Sequence, residues 1–324
     1  MITSPRTNTG TETGPDAKSG WDLYREGCMF GKEGKHADAI TSFSIALELQ
    51  PTLVPAWIGR GFAFGKLGRF EDEIKCCDKA LEIDPNCIDA LNNKAFALGK
   101  LLRFPDKISC CKRAIELDPE SATAWNNLGV AHGMMGEYDA EIRCSERAIS
   151  LRPRYLSAWV NKGYALGKLK RYEEECTCYD RALKIYPYYF AALTHKPVAL
   201  IHLKRYREAL EFLDKVLALD PHNEKALYRK GLALAKLGRH DEAIGYLTHA
   251  LEINSTIADA WVILSNSYFF TGNLEASARA FDQAYYIDIR DVREGLIKGM
   301  RFFKSGNTDE GIRSFNEVLG ILSR

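Results

Sequence analysis

The chain has 324 residues, ordinary apolar content and a formal net charge of +1, with 44 Lys and Arg against 43 Asp and Glu. This balance supplies no bulk attraction to nucleic acid or to an anionic membrane surface, and no apolar run approaches the roughly 18 residues of a spanning helix. Nine cysteines, an odd number with no Cys-x-x-Cys pair, argue against zinc ribbons and redox pairs and predict thiols in a reducing, cytoplasmic setting.

Residues 1–19 are rich in Thr, Ser, Gly and Pro and have no apolar segment, so they read as a disordered tail and not as a secretory signal. From residue 20 onward the chain repeats. The stretch GYALGKLKRY, beginning at Gly163, looks at first like a phosphate-cradling loop. Only three residues separate Gly163 from Gly167, however, and Leu169 stands where the magnesium-binding hydroxyl belongs. Related stretches begin at Gly61, Ala95 and Gly231, each offset by a multiple of 34 residues.

Units beginning at 20, 54, 88, 122, 156, 190, 224, 258 and 292 keep one register without insertion. Numbering positions within the unit, position 8 is small (Gly27, Gly61, Ala95, Gly129, Gly163, Gly231), position 27 is mostly Ala, and position 32 is Pro in six units. Position 4 is large and apolar, as at Trp57, Leu91, Trp125 and Trp159. Positions 4, 8 and 11 fall on one face of a first helix, where a small residue at 8 admits a second helix. Gly at position 15 permits the turn between the two helices, and Pro at 32 ends the second. One helical pair cannot bury its own apolar face, so units must stack.

This Trp–Gly–Tyr/Phe–Ala–Phe–Ala–Pro pattern resembles the tetratricopeptide repeat family over residues 20–324. The resemblance implies an all-α, right-handed superhelical solenoid of nine repeats whose first helices line a concave groove for peptides or protein partners. The chain departs from the family pattern at position 20, commonly Ala, which is Glu73, Lys107, Glu141 and Glu175 here.

On the first helix, positions 2, 6, 9 and 13 share a face pointing away from the 4/8/11 core. Position 6 places Asn93, Asn127 and Asn161 in three consecutive units, reinforced at position 5 by Asn92 and Asn126. Asparagine is a mediocre helix former; duplication of a tolerated residue would explain the column, and so would its paired donor and acceptor, which suit an extended peptide backbone. Similar asparagine ladders line the groove of O-linked N-acetylglucosamine transferases. Position 9 adds Phe62, Phe96 and Tyr164, and position 13 adds Lys66, Lys100 and Lys168. Across positions 2, 5, 6, 9, 12 and 13 there are ten cations and two anions, Asp89 and Asp259, which predicts a preference for an acidic partner. Lysine in the last turn also complements the helix dipole. Lys225 and Arg229 match the third unit of the carboxylate clamp of chaperone-binding family members, but Val160, Tyr164 and His195 leave that clamp incomplete.

His195 and His202 stand about 10 Å apart by helical rise, too far to share a metal. No nucleophile–base constellation stands out, so the expected role is a non-catalytic adaptor without metal or cofactor, binding an extended acidic segment of a protein. The alternatives are nucleic-acid binding along the lysine row, which lacks interleaved aromatics, and an assembly subunit acting through the array ends. For the last, the closing helix with Val318, Leu319 and Leu322, near Phe302 and Phe303, suggests self-association.

Overall fold

A computed structural model describes residues 18–287, 299–302, 310–311 and 313–314. The expected tail at 1–19 and the ninth repeat, including the closing helix and its Val318, Leu319 and Leu322, lie almost entirely outside these residues. Every bounded element is an α-helix. The first compact unit, Met1–Leu151, contains α1 (Gly20–Lys32), α2 (His36–Leu49), α3 (Val54–Lys66), α4 (Phe70–Ile83), α5 (Ile88–Lys100), α6 (Phe104–Leu117), α7 (Ala122–Met134) and α8 (Tyr138–Leu151). The second, Arg152–Arg324, contains α9 (Leu156–Lys168), α10 (Tyr172–Ile185), α11 (Phe190–His202), α12 (Tyr206–Leu219), α13 (Glu224–Lys236), α14 (His240–Ile253), α15 (Ala258–Phe270) and α16 (Leu274–Tyr286).

Each odd-numbered helix starts at position 1 of a repeat and each even-numbered one at position 17, so the sequence register sets the helix ends. Where a side-chain cap is available it is used: Ser19 and Asp22 form a capping box on α1, and Ser121 and Asn223 cap α7 and α13. The left-handed residue that turns one helix into the next sits at position 15. It is Gly34, Gly68, Gly136, Gly238 and Gly272 in five repeats, but Leu102 (φ 59°), Lys170 (φ 60°) and Lys204 (φ 59°) in the other three.

Within a repeat, the small residue at position 8 lets the second helix close in. A Cβ on Gly61 would lie 3.1 Å from the Cβ of Cys76, and one on Gly163 would meet the Tyr179 ring at 2.7 Å. The position 27 alanines Ala46, Ala80, Ala114, Ala148, Ala182 and Ala250 are fully buried, so the contact is backbone-close along each pair.

Between repeats, two devices recur. The indole nitrogens of Trp57, Trp125, Trp159 and Trp261 donate to the carbonyl at position 32 of the preceding repeat, at 2.8–3.0 Å, with Ser255 serving as well as Pro. Lysines at position 7 reach back to an aspartate of the preceding repeat: Lys94 to Asp78 at 2.6 Å in the first unit, Lys196 to Asp180 and Lys230 to Asp214 in the second. The last two lysines also lie over the rings of Phe212 and Tyr246, at 3.9 and 4.0 Å from the centroids.

Candidate functional site

In the first unit the odd-numbered helices α3, α5 and α7 lie side by side, and their outward positions border a cleft of about 490 Å³. Phe62, Lys66, Asn92, Asn93, Phe96, Lys100 and Asn127, all expected on this face, line it together, joined by Gly65, Phe70, Glu73 and Thr123. Phe62 and Phe96 remain half exposed, at 49% and 48%. Helical spacing puts the position 13 lysine one turn beyond the position 9 ring, so Lys66 Nζ lies 4.9 Å from the Phe62 centroid and Lys100 Nζ 5.3 Å from that of Phe96. Each ammonium is thereby held at the cleft mouth by its own aromatic neighbour. Phe70 meets Phe96 edge-on at 6.5 Å.

The asparagines divide by position. Asn93 and Asn127, at position 6, are half-buried with the cleft beside them. Asn126, at position 5, is buried and offers little surface to a partner. Asn92 also lines the cleft, with its Oδ1 buried and without a hydrogen-bond partner among the described residues.

Glu73 was flagged by its sequence departure but not expected in the site. It comes from α4, is 2% exposed, and has no hydrogen-bond partner for Oε2 among the described residues. Burial pushes its carboxyl up to about 7, against a smaller opposing effect of the Lys66 charge. Its room comes from Gly65, where a Cβ would overlap the carboxyl. A glycine at position 12 paired with a charged position 20 is thus the sequence signal that locates this group.

In the second unit, Tyr164 is 40% exposed and Lys168 Nζ lies 5.2 Å from its ring centroid, repeating the ring–ammonium pairing. His195 contacts the Tyr164 ring edge-on and the buried Tyr179 ring in a stacked arrangement, each at 6.0 Å. Burial first, then the charges of Arg229 and Lys225, hold His195 below the usual imidazole range. Lys225 is exposed, Arg229 is half-buried, and Asn161 is half-buried on the same helix as Tyr164. These groups offer an amide, cations, an imidazole and ring edges on the second unit's odd-numbered helices.

Among the described residues no group of three or more His, Cys, Asp or Glu is placed to hold a metal ion. No described helix is long and apolar enough to cross a membrane.

None of the curated proteins matches this chain. Solved structures show the fold. One, a tetratricopeptide repeat protein described as having an unusual peptide-binding site (YrrB), is 22% identical and aligns with a TM-score of 0.50 over 56% of this chain and 93% of its own. PilF from Pseudomonas aeruginosa is 18% identical, with a TM-score of 0.56 over 64% of this chain and 94% of its own. A repeat protein from Parabacteroides merdae is 13% identical, with a TM-score of 0.58 over 78% and 99%. Family models described as tetratricopeptide repeat match residues 54–87, 110–143, 156–189, 200–254 and 258–288, together more than half of the chain. With these matches and consecutive helix-turn-helix pairs, the chain belongs to the tetratricopeptide repeat family, whose members mediate protein–protein interaction.

Proposed function

We propose that this protein is a non-catalytic adaptor, and that the cleft of its first unit binds an extended acidic segment of a protein partner. The observation that carries the reading is the shared cleft itself: carboxamides at the same position of two successive repeats, Asn93 and Asn127, beside half-exposed rings and two outward lysines. A carboxamide both donates and accepts, so each asparagine matches one peptide unit of an extended chain. Lys66 and Lys100 stand at the mouth while Glu73 lies beneath, its charge suppressed by burial. The field met by an arriving ligand is therefore positive, which favours acidic segments and speeds their encounter. Asn161, Tyr164, Lys168, His195, Lys225 and Arg229 form a second candidate surface of the same chemistry in the second unit. No disulfide joins any of the nine cysteines, all of them among the described residues, in keeping with work in the cytoplasm.

The test is binding of a short labelled peptide of alternating Glu and Ser, compared with its Gln and Ser counterpart, followed by fluorescence anisotropy. The acidic peptide should bind about tenfold more tightly at low salt and lose that advantage as salt rises. Changing Asn93 and Asn127 together to Ala should weaken both peptides by about tenfold or more. Equal binding by the wild type and the double variant would remove the asparagines from the site.

A further inference from the structure

Glu73 is costly where it lies. A carboxyl 2% exposed, with no hydrogen-bond partner for Oε2 among the described residues, destabilises the fold and gains from any donor that reaches it. The second unit contains the same residue in a satisfied form. Glu175 occupies the same repeat position, is also buried, and accepts a hydrogen bond on Oε1 from the Tyr179 hydroxyl at 3.0 Å. Tyr179 stands at position 24 of its repeat. At that position the Glu73 repeat has Cys77, which brings no hydroxyl. Glu73 instead lines the cleft together with Phe62, Phe70 and Phe96.

Resting on the reading of this cleft as a peptide site, we propose that Glu73 is the floor of a side-chain subsite that selects a tyrosine of the bound segment. The tyrosine ring would pack against the three phenylalanines while its hydroxyl donates to Glu73, supplying from the ligand the phenol that Tyr179 supplies internally to Glu175. The other candidates fit less well. Phenylalanine satisfies the walls and leaves the carboxyl oxygen unpaired. A lysine side chain must pass the ammonium groups of Lys66 and Lys100, already seated over Phe62 and Phe96. A carboxylate is drawn to those exposed lysines and is not carried into a pocket walled by three phenylalanines. The ligand so defined is a tyrosine set among acidic residues.

Three labelled peptides with one acidic background and a central Tyr, Phe or Lys provide the test, read by anisotropy against the full-length protein. Tyr should bind about tenfold more tightly than Phe, because Phe leaves a buried acceptor unpaired. Glu73→Met should make the Tyr and Phe peptides bind alike. Cys77→Tyr copies the Glu175 arrangement opposite a glycine, Gly61, as Tyr179 lies opposite Gly163; it should abolish the preference by occupying the carboxyl from inside. Circular dichroism of both variants establishes that they fold. Equal binding of Tyr and Phe by the wild type, tightest binding of the Lys peptide, or a preference that survives in folded Glu73→Met overturns the subsite while the groove reading stands. If the wild type binds none of the three, the groove reading falls, and the subsite with it.

Discussion

Repeats two to four, in the first unit, and repeats six to eight, in the second, solve one packing problem in opposite ways. In the first set position 12 is Gly65, Gly99 and Gly133, and position 20 is Glu73, Lys107 and Glu141. In the second set position 12 is Ile201, Ala235 and Phe269, and position 20 is Ala209, Ala243 and Ser277. The volume removed from one helix is returned by the other, as close packing requires. Where the filler is hydrocarbon, the core is continuous: Leu193, Ile201, Leu213, Leu234, Leu247 and Ile263 belong to one buried cluster. Where the filler is a charged side chain, the buried apolar residues of repeats two to four fall into smaller clusters. Charge inside a repeat therefore interrupts apolar continuity, and at Glu73 it places a carboxyl at the cleft. Repeat five, with Gly167 and Glu175, follows the first set but recovers part of the cost through Tyr179.

Exchanging the two solutions breaks this comparison most forcefully. A Cβ at position 133 would overlap the Glu141 carboxyl, so Gly133→Ile should cost about 3 kcal/mol by overpacking. The double change Gly133→Ile with Glu141→Ala recreates the Ile201 and Ala209 pair of repeat six. It also removes a carboxyl whose Oε2 has no hydrogen-bond partner among the described residues. It should recover the loss, with a coupling energy of about 2 kcal/mol or more between the two sites. Urea unfolding of the single and double variants measures this. Additive costs would show that positions 12 and 20 do not share one volume.

Repeats made the fold legible, because a pattern seen many times removes the ambiguity of any single helix. Position 1 starts the first helix in each of the eight repeats whose helices are described, and position 15 turns the chain even where no glycine is present. The lining of the candidate cleft was legible where helical spacing alone decides a side chain's direction, as for Phe62 with Lys66 and Phe96 with Lys100. It was not legible one residue away. Positions 5 and 6 differ by about 100° around the helix, and that turn carries Asn126 into the packing while Asn127 stays at the cleft. Glu73 was visible as an anomaly, but its place depends on contact between two helices, and only the companion glycine at position 12 records it. The tryptophan and lysine links between repeats were hidden for the same reason, since their partners lie in a preceding repeat.

A smaller effect separates the charged repeats from the apolar ones through pH. Burial raises Glu73 to about 7, Glu141 to about 8 and Glu175 to about 7, from an ordinary value near 4.5. A carboxyl that holds its proton more tightly when folded gives the native state more bound protons than the unfolded chain. Stability must then fall as pH rises from about 4.5 to about 8. His195 and His240, held low by burial, act in the opposite direction but only below about 6.5. Between about pH 6.5 and 8 the carboxyls are unopposed by these histidines, and each should remove about 1 kcal/mol. Urea midpoints across that window should therefore decline, and changing all three residues to Gln should flatten the decline. A slope that survives in the triple variant would assign it to other groups.

The smallest effect distinguishes the turns. Gly34, Gly68, Gly136, Gly238 and Gly272 take the left-handed conformation at no steric cost, whereas Leu102, Lys170 and Lys204 take it with a Cβ that crowds the following carbonyl. Stacking fixes the hairpin geometry, so the turn keeps its shape and the residue bears the strain. Leu102 is 65% exposed, and losing its side chain removes little packing. Relief of strain, less the greater entropy of glycine in the unfolded chain, leaves a net gain of about 0.5–1 kcal/mol for Leu102→Gly. Gly136→Leu, the reverse change at the equivalent turn one repeat later, should lose at least as much. If both substitutions move the thermal midpoint in the same direction, side-chain contacts and not backbone conformation govern these turns.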